Sequence, residues 1–168
     1  VLFRSGGLRE WLEHGGTLSR ELPATPPVSR FRGRYPADWV IGADELLASL
    51  HSPARTLIDA RGEARYRGEV EPIDPIAGHI PGAICRPCDQ NLDARGRFLP
   101  ATDLRQRFSP FRDTEVVTYC GSGVTACHNL LAMLLAGLPR PRLYAGSWSE
   151  WITDPGRPLA TVSDSTDP

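Results

Sequence analysis

The chain has 168 residues, of which 40% are hydrophobic and 23% are charged, and its formal net charge at pH 7 is −1. This composition provides enough apolar residues for a packed core and argues against a disordered chain. A net charge this close to zero gives no overall attraction to nucleic acid or to an anionic membrane, and no apolar run reaches the roughly 20 residues that span a bilayer. We therefore expect neither nucleic acid nor a membrane as a partner.

A repeat connects the first residues to a segment near the end of the chain. Residues 3–12 (FRSGGLREWL) align without a gap to residues 143–152 (LYAGSWSEWI), at a constant offset of 140 residues, and Gly16 then falls on Gly156. So long a spacing indicates duplicated domains rather than a solenoid, whose units are about 20 to 50 residues long. The expected organisation is a C-terminal remnant of a first domain (1–18), an interdomain linker (19–36), a complete catalytic domain (37–160) and a flexible tail (161–168).

Within residues 37–160, apolar β-rich segments alternate with helical ones. The pattern predicts extended segments or strands at residues 38–41, 56–59, 80–84, 115–119 and 142–144. It predicts helices at residues 43–50, 101–108 and 126–136, the last ended by Gly137. Alternating strands and helices indicate an α/β sandwich around a mostly parallel central sheet.

The strongest chemical signal follows the strand expected at residues 115–119. Cys120 ends that strand and is followed by residues 121–125 (GSGVT) and then by a helix. Ligands bind at the carboxyl ends of strands in open α/β sheets. The glycines allow successive backbone N–H groups to form an anion-binding nest, and the helix N-terminus adds a positive partial charge. Both effects favour Cys120 as the reactive thiolate, although a buried core thiol is the simpler alternative.

Cysteine-dependent phosphatases use a similar loop, but they place an arginine six residues after the cysteine. In this chain that position is Ala126. A dianionic phosphate would therefore lack its bidentate partner, which disfavours a phosphatase or an arsenate reductase. A ring of N–H groups without arginine is better suited to a persulfide, whose outer sulfur carries the charge.

At these residues the chain resembles the rhodanese superfamily, and the loop CGSGVTA (120–126) is similar to that of 3-mercaptopyruvate sulfurtransferases. The segment GHIPGA (78–83) resembles the first signature of the superfamily, YAGSWSEW (144–151) its C-terminal signature, and DAR (59–61) an early Asp-x-Arg. The four motifs stand in the correct order, and the resemblance covers about residues 1 to 160. It implies a rhodanese-like α/β/α sandwich that forms the C-terminal half of a two-domain sulfurtransferase.

The resemblance also implies a double-displacement reaction that needs no metal or organic cofactor. Cys120 would take sulfane sulfur from a small anionic donor, thiosulfate or 3-mercaptopyruvate, and pass it to cyanide or to a thiol, including that of a thioredoxin-like protein. The alternative is a non-catalytic rhodanese module that binds a partner or a sulfur species. Ser122 would bond the departing group, with a hydroxyl that only stabilises the loop as the alternative. The substrate would also contact the remaining loop residues Gly121, Gly123, Val124 and Thr125.

The resemblance assigns the anionic group of the donor to Arg65, with Arg67 as a second candidate. A solvated surface arginine is the alternative interpretation of Arg65. Mercaptopyruvate-specific relatives have a further substrate arginine a few residues later, whereas residues 71–75 (EPIDP) contain none. The loop therefore favours 3-mercaptopyruvate and this segment does not, so the identity of the donor stays open.

The remaining cysteines and His79 have simpler interpretations. Cys85 and Cys88 form a Cys-x-x-Cys pair, but no second ligand pair completes a zinc site, so we expect ordinary thiols rather than a metal or redox site. Cys127 is expected in the core, with a resolving thiol as the alternative, and His79 is expected to be a structural hydrogen-bonding residue. So few cysteines indicate a reducing, cytoplasmic setting.

Overall fold

The computed structural model describes residues 6–22, 24, 32–34 and 36–161, so half of the expected linker and all of the expected tail after residue 161 lie outside the described residues. The helices are α1 (Gly7–Glu13), α2 (Ala43–Ala48), α3 (Glu63–Tyr66), α4 (Ala101–Phe108), α5 (Ala126–Leu135) and α6 (Ser147–Trp151). The strands are β1 (Arg55–Asp59), β2 (Ile84–Cys85), β3 (Glu115–Tyr119) and β4 (Arg142–Leu143). Short 3-10 helices span Ala37–Trp39, Cys88–Asn91 and Ser109–Phe111. No helix in these ranges is both long and apolar enough to cross a membrane.

The four strands form one parallel sheet in the order β2-β1-β3-β4. β1 and β3 pair along their whole length, from Arg55 with Glu115 to Asp59 with Tyr119. Since all strands run in the same direction, their carboxyl ends meet at one edge of the sheet, which is where ligands bind in such folds. The residue after β3 is Cys120, so the predicted nucleophile lies at that edge.

Helices cover both faces of the sheet. On one face Leu57 and Val117 pack with α2 and α6, including the fully buried Trp148. On the other face Ile58 and Val116 pack with α4 and α5. Side chains of adjacent residues in a strand point to opposite faces, which is how β1 and β3 supply both layers of the core. The arrangement is the α/β/α sandwich with a parallel central sheet that the sequence predicted.

The strand predicted at residues 80–84 is wrong over most of its length. Only Ile84–Cys85 pairs with β1. A proline and a glycine at residues 81–82 make a turn in which the glycine has φ +77°. Because proline has no N–H to donate to a strand ladder, the apolar pattern here does not produce a strand. His79 instead forms an antiparallel bridge with Ala160.

The segment expected to be extended at residues 38–41 also differs. It starts as the 3-10 helix Ala37–Trp39. Val40 then forms a parallel bridge to Leu143, whose carbonyl accepts the Ile41 N–H at 3.0 Å. The sheet is therefore extended beyond β4 by one bridged residue rather than by a fifth strand in the described part of the chain.

The sequence repeat also appears in the local structure. α1 begins at Gly7 and α6 begins at Ser147, which are aligned in the repeat, and both residues have a positive φ, +61° and +54°. A Cβ on Gly6 would lie 2.5 Å from the Glu10 side chain, and the glycine preceding α6 is packed against Glu150 in the same way. The two segments therefore share a left-handed first helical residue and a glycine–glutamate contact, although the glycines before the helices differ, with φ +79° at Gly6 and −64° at Gly146.

Candidate active site

The first turn of α6 holds the backbone of Cys120, which is 2% exposed. The Cys120 N–H donates to Oγ of Ser147 at 3.1 Å, and the Cys120 carbonyl accepts the N–H of Trp148 at 3.0 Å. The next carbonyl, that of Gly121, accepts the N–H of Ser149 at 2.9 Å. The start of the loop is thus fixed by a segment of the C-terminal signature, which sequence analysis identified only as a motif.

Ser147 is the residue that connects the two segments. It is fully buried and non-glycine at φ +54°, a conformation that costs about 1 to 2 kcal/mol for an L-residue. Its hydroxyl donates to the Tyr144 carbonyl at 2.9 Å while accepting the Cys120 N–H. Two hydrogen bonds in a buried position offset the backbone cost and place α6 against the loop.

Between Cys120 and α5 the loop leaves its donors unpaired. The backbone N–H groups of residues 121–126 donate to no acceptor within the described ranges. Gly123 has φ +82°, and a Cβ there would lie 2.5 Å from the Ala145 carbonyl oxygen, so this position accepts no side chain. The loop then enters the N-terminus of α5, whose dipole favours a negative charge. Consecutive free N–H groups beside a helix N-terminus can stabilise a thiolate or a persulfide.

A cavity of about 180 Å³ opens over the loop. Its lining consists of Arg65, Ile73, Asp74, Cys120, Gly121, Ser122, Val124, Thr125 and Ser149. Of the predicted site residues, all but Gly123 therefore meet at one cavity, and Gly123 contacts the backbone beside Ala145 instead. Arg67, the second candidate for donor binding, is half exposed and lies near Glu63 and Glu69 rather than in this lining.

Arg65 reaches the cavity from α3 and is not a free cation. Its Nη1 would lie 3.4 Å from a Cβ placed on Gly121, so this nitrogen faces the loop. On its other side, Nε and Nη2 donate to the two carboxylate oxygens of Glu71 at 3.1 and 2.6 Å. Nη2 also donates to Oδ2 of Asp74 at 3.1 Å. The segment that lacks a second arginine thus supplies two carboxylates that pair with the first one.

Glu71 fixes the position of Arg65, and its own side chain is only 4% exposed. Its Oε1 accepts the N–H groups of Ile73 and Asp74, both at 3.1 Å. Burial alone would raise the pKa of Glu71, but the hydrogen bonds from Arg65 and from these two N–H groups outweigh it and lower the pKa. Glu71 is therefore ionised whenever the site is folded at neutral pH, and it holds Arg65 in one orientation.

A second arginine, Arg61, joins three of the four motifs behind the cavity. Its guanidinium is bound by Asp59 at 2.6 Å, donates to the Gly78 carbonyl at 2.7 Å and lies 4.9 Å from the ring centroid of Trp148. Burial alone would lower the pKa of Arg61, but the hydrogen bond and the charge of Asp59 raise it. This side chain is 1% exposed, so its contribution is to hold the scaffold together.

The other three cysteines are free thiols. Burial raises the pKa of Cys85 to about 11, and burial also raises the pKa of Cys88 and Cys127. Cys127 is half-buried rather than fully in the core, and its thiol donates to the Gly123 carbonyl at 3.3 Å. Within the described residues, no group of His, Cys, Asp and Glu side chains is arranged to hold a metal ion.

His79 and His128 each stack on an aromatic ring. His79 stacks on Tyr66, with ring centroids 3.9 Å apart, and its Nδ1 lies 2.7 Å from the Tyr66 carbonyl, as befits a structural role. His128 is half-buried and stacks on Phe98, with ring centroids 4.4 Å apart. Burial lowers the pKa of His128.

Comparison with known proteins gives consistent matches. Residues 42–154 match the model of the rhodanese-like domain. The chain is 54% identical over 165 residues to a probable 3-mercaptopyruvate sulfurtransferase of Pseudomonas aeruginosa, and the alignment covers 96% of this chain and 58% of that protein. It is 35% identical to the human 3-mercaptopyruvate sulfurtransferase, with 98% of this chain and 56% of that protein covered. The chain thus spans little more than half the length of these relatives.

A solved structure shows the same fold. It is an anaerobic ergothioneine biosynthesis enzyme from Chlorobium limicola in complex with its natural substrate, trimethyl histidine. The TM-score is 0.84 at 26% identity, over 94% of this chain and 40% of that one. The family model covers most of the described sandwich, including the cysteine loop. The chain therefore belongs to the rhodanese-like domain family.

Proposed function

We propose that this chain carries the catalytic domain of a sulfurtransferase, in which Cys120 accepts sulfane sulfur from a small anionic donor. The observation that carries the proposal is the cavity in which the thiol of a strand-end cysteine, an arginine and a loop of unpaired N–H groups meet. The names of the relatives, 3-mercaptopyruvate and thiosulfate sulfurtransferases, support the same class of donor.

In the first half-reaction, the Cys120 thiolate attacks the sulfane sulfur of the donor. A sulfur–sulfur bond forms, and the bond between that sulfur and the rest of the donor breaks with its electron pair. Thiosulfate leaves as sulfite, and 3-mercaptopyruvate leaves as the enolate of pyruvate, which takes up a proton. The negative outer sulfur of the persulfide is then stabilised by the N–H groups of residues 121–126 and by the α5 dipole.

In the second half-reaction, an acceptor attacks the outer sulfur and releases the Cys120 thiolate. Cyanide or a thiol can serve, and we propose the thiol of a thioredoxin-like protein as one acceptor. Val124, which lines the cavity, is 52% exposed, so the cavity over Cys120 is open to an acceptor from solvent. Free thiols throughout the described chain fit a reducing compartment, and we propose the cytoplasm.

The proposal assigns roles to the remaining residues of the cavity. Nη1 of Arg65 binds the carboxylate or sulfonate of the donor, and the Ser122 hydroxyl bonds the departing group. Ser122 is exposed and its hydroxyl has no hydrogen-bond partner in the part of the chain that the structure describes, so it is available for this role. We further propose that residues 37–160 form the catalytic domain and residues 1–18 the end of a preceding one.

The test is intact-protein and peptide mass spectrometry after incubation with thiosulfate or 3-mercaptopyruvate. We expect one added sulfur on Cys120, none in Cys120→Ser, and unchanged labelling in the matched control Cys127→Ser. The added sulfur should disappear on treatment with cyanide. If Cys120 stays unmodified with both donors while donor binding persists, the chain is instead a non-catalytic binding module.

A further inference from the structure

The hydrogen bonds of Arg65 leave one edge of its guanidinium for a substrate. A guanidinium has five N–H donors in a fixed plane. The Nε and Nη2 edge forms a parallel pair with Glu71, and the second donor of Nη2 meets Oδ2 of Asp74. Nη1, which faces Gly121, has no hydrogen-bond partner among the residues described. A carboxylate can therefore bind in bidentate fashion only along the Nη1–Nη2 edge, half of which Asp74 already occupies.

Asp74 is fixed in this position by further contacts. Its side chain is 8% exposed, and its Oδ1 accepts the hydroxyl of Ser149 at 2.7 Å. Its backbone N–H donates to Glu71, and Ser149 donates its own N–H to Gly121 at 2.9 Å. The carboxylate is therefore tied both to the arginine and, through Ser149, to the cysteine loop. It acts on the cavity from one place rather than as a mobile surface charge.

The charges around Arg65 oppose an anionic donor. One guanidinium is bonded to two carboxylates, so this group carries a net negative charge before the Cys120 thiolate is counted. Arg61 also contacts Glu71, with Nη1 3.4 Å from Oε2, but it brings Asp59 with it at 2.6 Å. Three carboxylates then face two guanidiniums, so the balance stays negative. In a partly dehydrated cavity, unit charges a few ångströms apart interact more strongly than in water. The repulsion from Asp74 grows with donor charge, which is single for 3-mercaptopyruvate and double for thiosulfate at neutral pH.

From this geometry we infer that Asp74 is a specificity-determining residue that selects monoanionic thiol-acid donors over dianionic ones. It does so by competing for the open edge of Arg65 and by penalising the second negative charge of thiosulfate. The inference rests on the proposed sulfurtransferase function and deepens it. It also gives a role to the segment 71–75, whose lack of a second arginine left the donor undecided.

The experiment measures the second-order rate of persulfide formation on Cys120 with each donor, in the wild type and in Asp74→Asn. Asparagine keeps the size of the side chain and an acceptor for Ser149 but removes the charge. We expect the rate with thiosulfate to rise about tenfold more than the rate with 3-mercaptopyruvate, equivalent to about 1.4 kcal/mol for the extra charge. Added salt should shrink this difference, since it screens the same charge.

Three variants serve as references. Glu63→Gln lies on the same helix as Arg65 and removes the same charge, but Glu63 is 56% exposed and paired with Arg67, so the donor ratio should not change. Ser149→Ala removes one hydrogen bond to Asp74 while keeping its charge. It should also raise the rate with thiosulfate relative to the rate with 3-mercaptopyruvate, but by a smaller factor than Asp74→Asn. Arg65→Ala should lose capture of both donors, because no cation then remains at the open edge.

The outcomes separate this inference from the proposed function. The specificity role is overturned if Asp74→Asn still forms the persulfide and the ratio of its rates with thiosulfate and 3-mercaptopyruvate equals that of the wild type. This holds whether both rates stay the same or rise by the same factor. If Asp74→Asn does not fold, Ser149→Ala decides, and an unchanged ratio there overturns the inference. Failure of the wild type to form a persulfide with either donor refutes the proposed function instead.

Discussion

Helices α1 and α6 carry aligned sequences and both begin with a left-handed residue, yet they differ in their surroundings. In α6, Trp148 and Trp151 are fully buried beneath the sheet. At the aligned positions of α1, Leu8 is 57% exposed and Trp11 is 38% exposed. Local sequence therefore determines the left-handed first residue and the glycine–glutamate contact. Whether the apolar residues contribute to stability depends on the sheet that packs against them.

Replacing each of the aligned tryptophans should show the largest difference between α1 and α6. Trp151 packs edge-on against Tyr144 and donates its indole N–H to the Pro158 carbonyl at 2.9 Å. We expect Trp151→Ala to lower the free energy of unfolding by about 3 to 5 kcal/mol, the usual cost of emptying a buried aromatic site. Trp11→Ala should cost less than about 1 kcal/mol, since the side chain is already partly exposed. Urea denaturation of both variants measures the two free energies of unfolding. Similar decreases in the two variants would mean that α1 belongs to the same core as α6.

A second change gives α6 the residue found in α1. Ser147→Gly relieves the positive φ but removes the hydroxyl that accepts the Cys120 N–H. Ser147→Ala removes the hydroxyl and keeps the strain, so it should be about 1 kcal/mol less stable than the glycine variant. Both should slow sulfur transfer, because the buried N–H loses its partner and the loop loses a constraint.

Thermal melting separates the two variants by stability, and steady-state assays compare their turnover. If Ser147→Gly transfers sulfur at the wild-type rate, the hydroxyl does not position Cys120. The glycine aligned with Ser147 in α1 has open space around it and needs no such partner.

Polar contacts attach α1 to the rest of the structure, and we expect a smaller effect from losing them than from the changes above. Gly6 donates its N–H to the Gly96 carbonyl at 3.2 Å, and Glu13 is paired with Arg95. The hydrogen bond from Arg9, followed by that from Arg95, lowers the pKa of Glu13 from its ordinary value of 4.5. A lowered pKa in the folded state means that the ion pairs of Glu13 contribute their full stability above pH 4.5, and that this stability is lost as the pH falls from 4.5 through the lowered pKa.

Hydrogen exchange read by mass spectrometry checks this prediction. We expect faster exchange of the α1 amides at about pH 3 than at pH 7, after correction for intrinsic rates, and also at high salt. The α6 amides should respond to neither change, because apolar burial holds that helix. Equal protection of both helices at low pH would contradict the assignment of α1 to a polar contact.

The sequence predicted those elements whose signals are local. Ala101–Phe108 and Glu115–Tyr119 have the expected bounds, because an amphipathic spacing and a β-branched apolar run each identify their own structure. The strand expected at residues 80–84 failed because a proline–glycine turn interrupts the apolar run. Helices of four and five residues, α3 and α6, are too short for a helical period to repeat, so the pattern gave no indication of them.

The residues of the candidate site also fall into those that a local sequence signal predicts and those that it does not. The loop from Cys120 is continuous in sequence, so its chemistry could be inferred from residue types and order. Asp74 and Ser149 could not be found in this way, because their hydrogen bond joins positions 75 residues apart and no periodicity reports such a distance. The one signal for Asp74 was negative, the lack of an expected arginine in the segment EPIDP. The contact between Ser147 and Cys120 likewise arises only when the sheet is assembled.

The support of Cys120 by α6 has a consequence for the time at which the site forms during synthesis. The hydroxyl that accepts the Cys120 N–H belongs to a residue 27 positions later in the chain. Ribosomes add about 5 to 20 residues per second, so the cysteine loop precedes its support by about 1 to 5 s in every round of translation. The cavity over the cysteine loop is consequently among the last parts of the sandwich to be completed, after β3 has already been made.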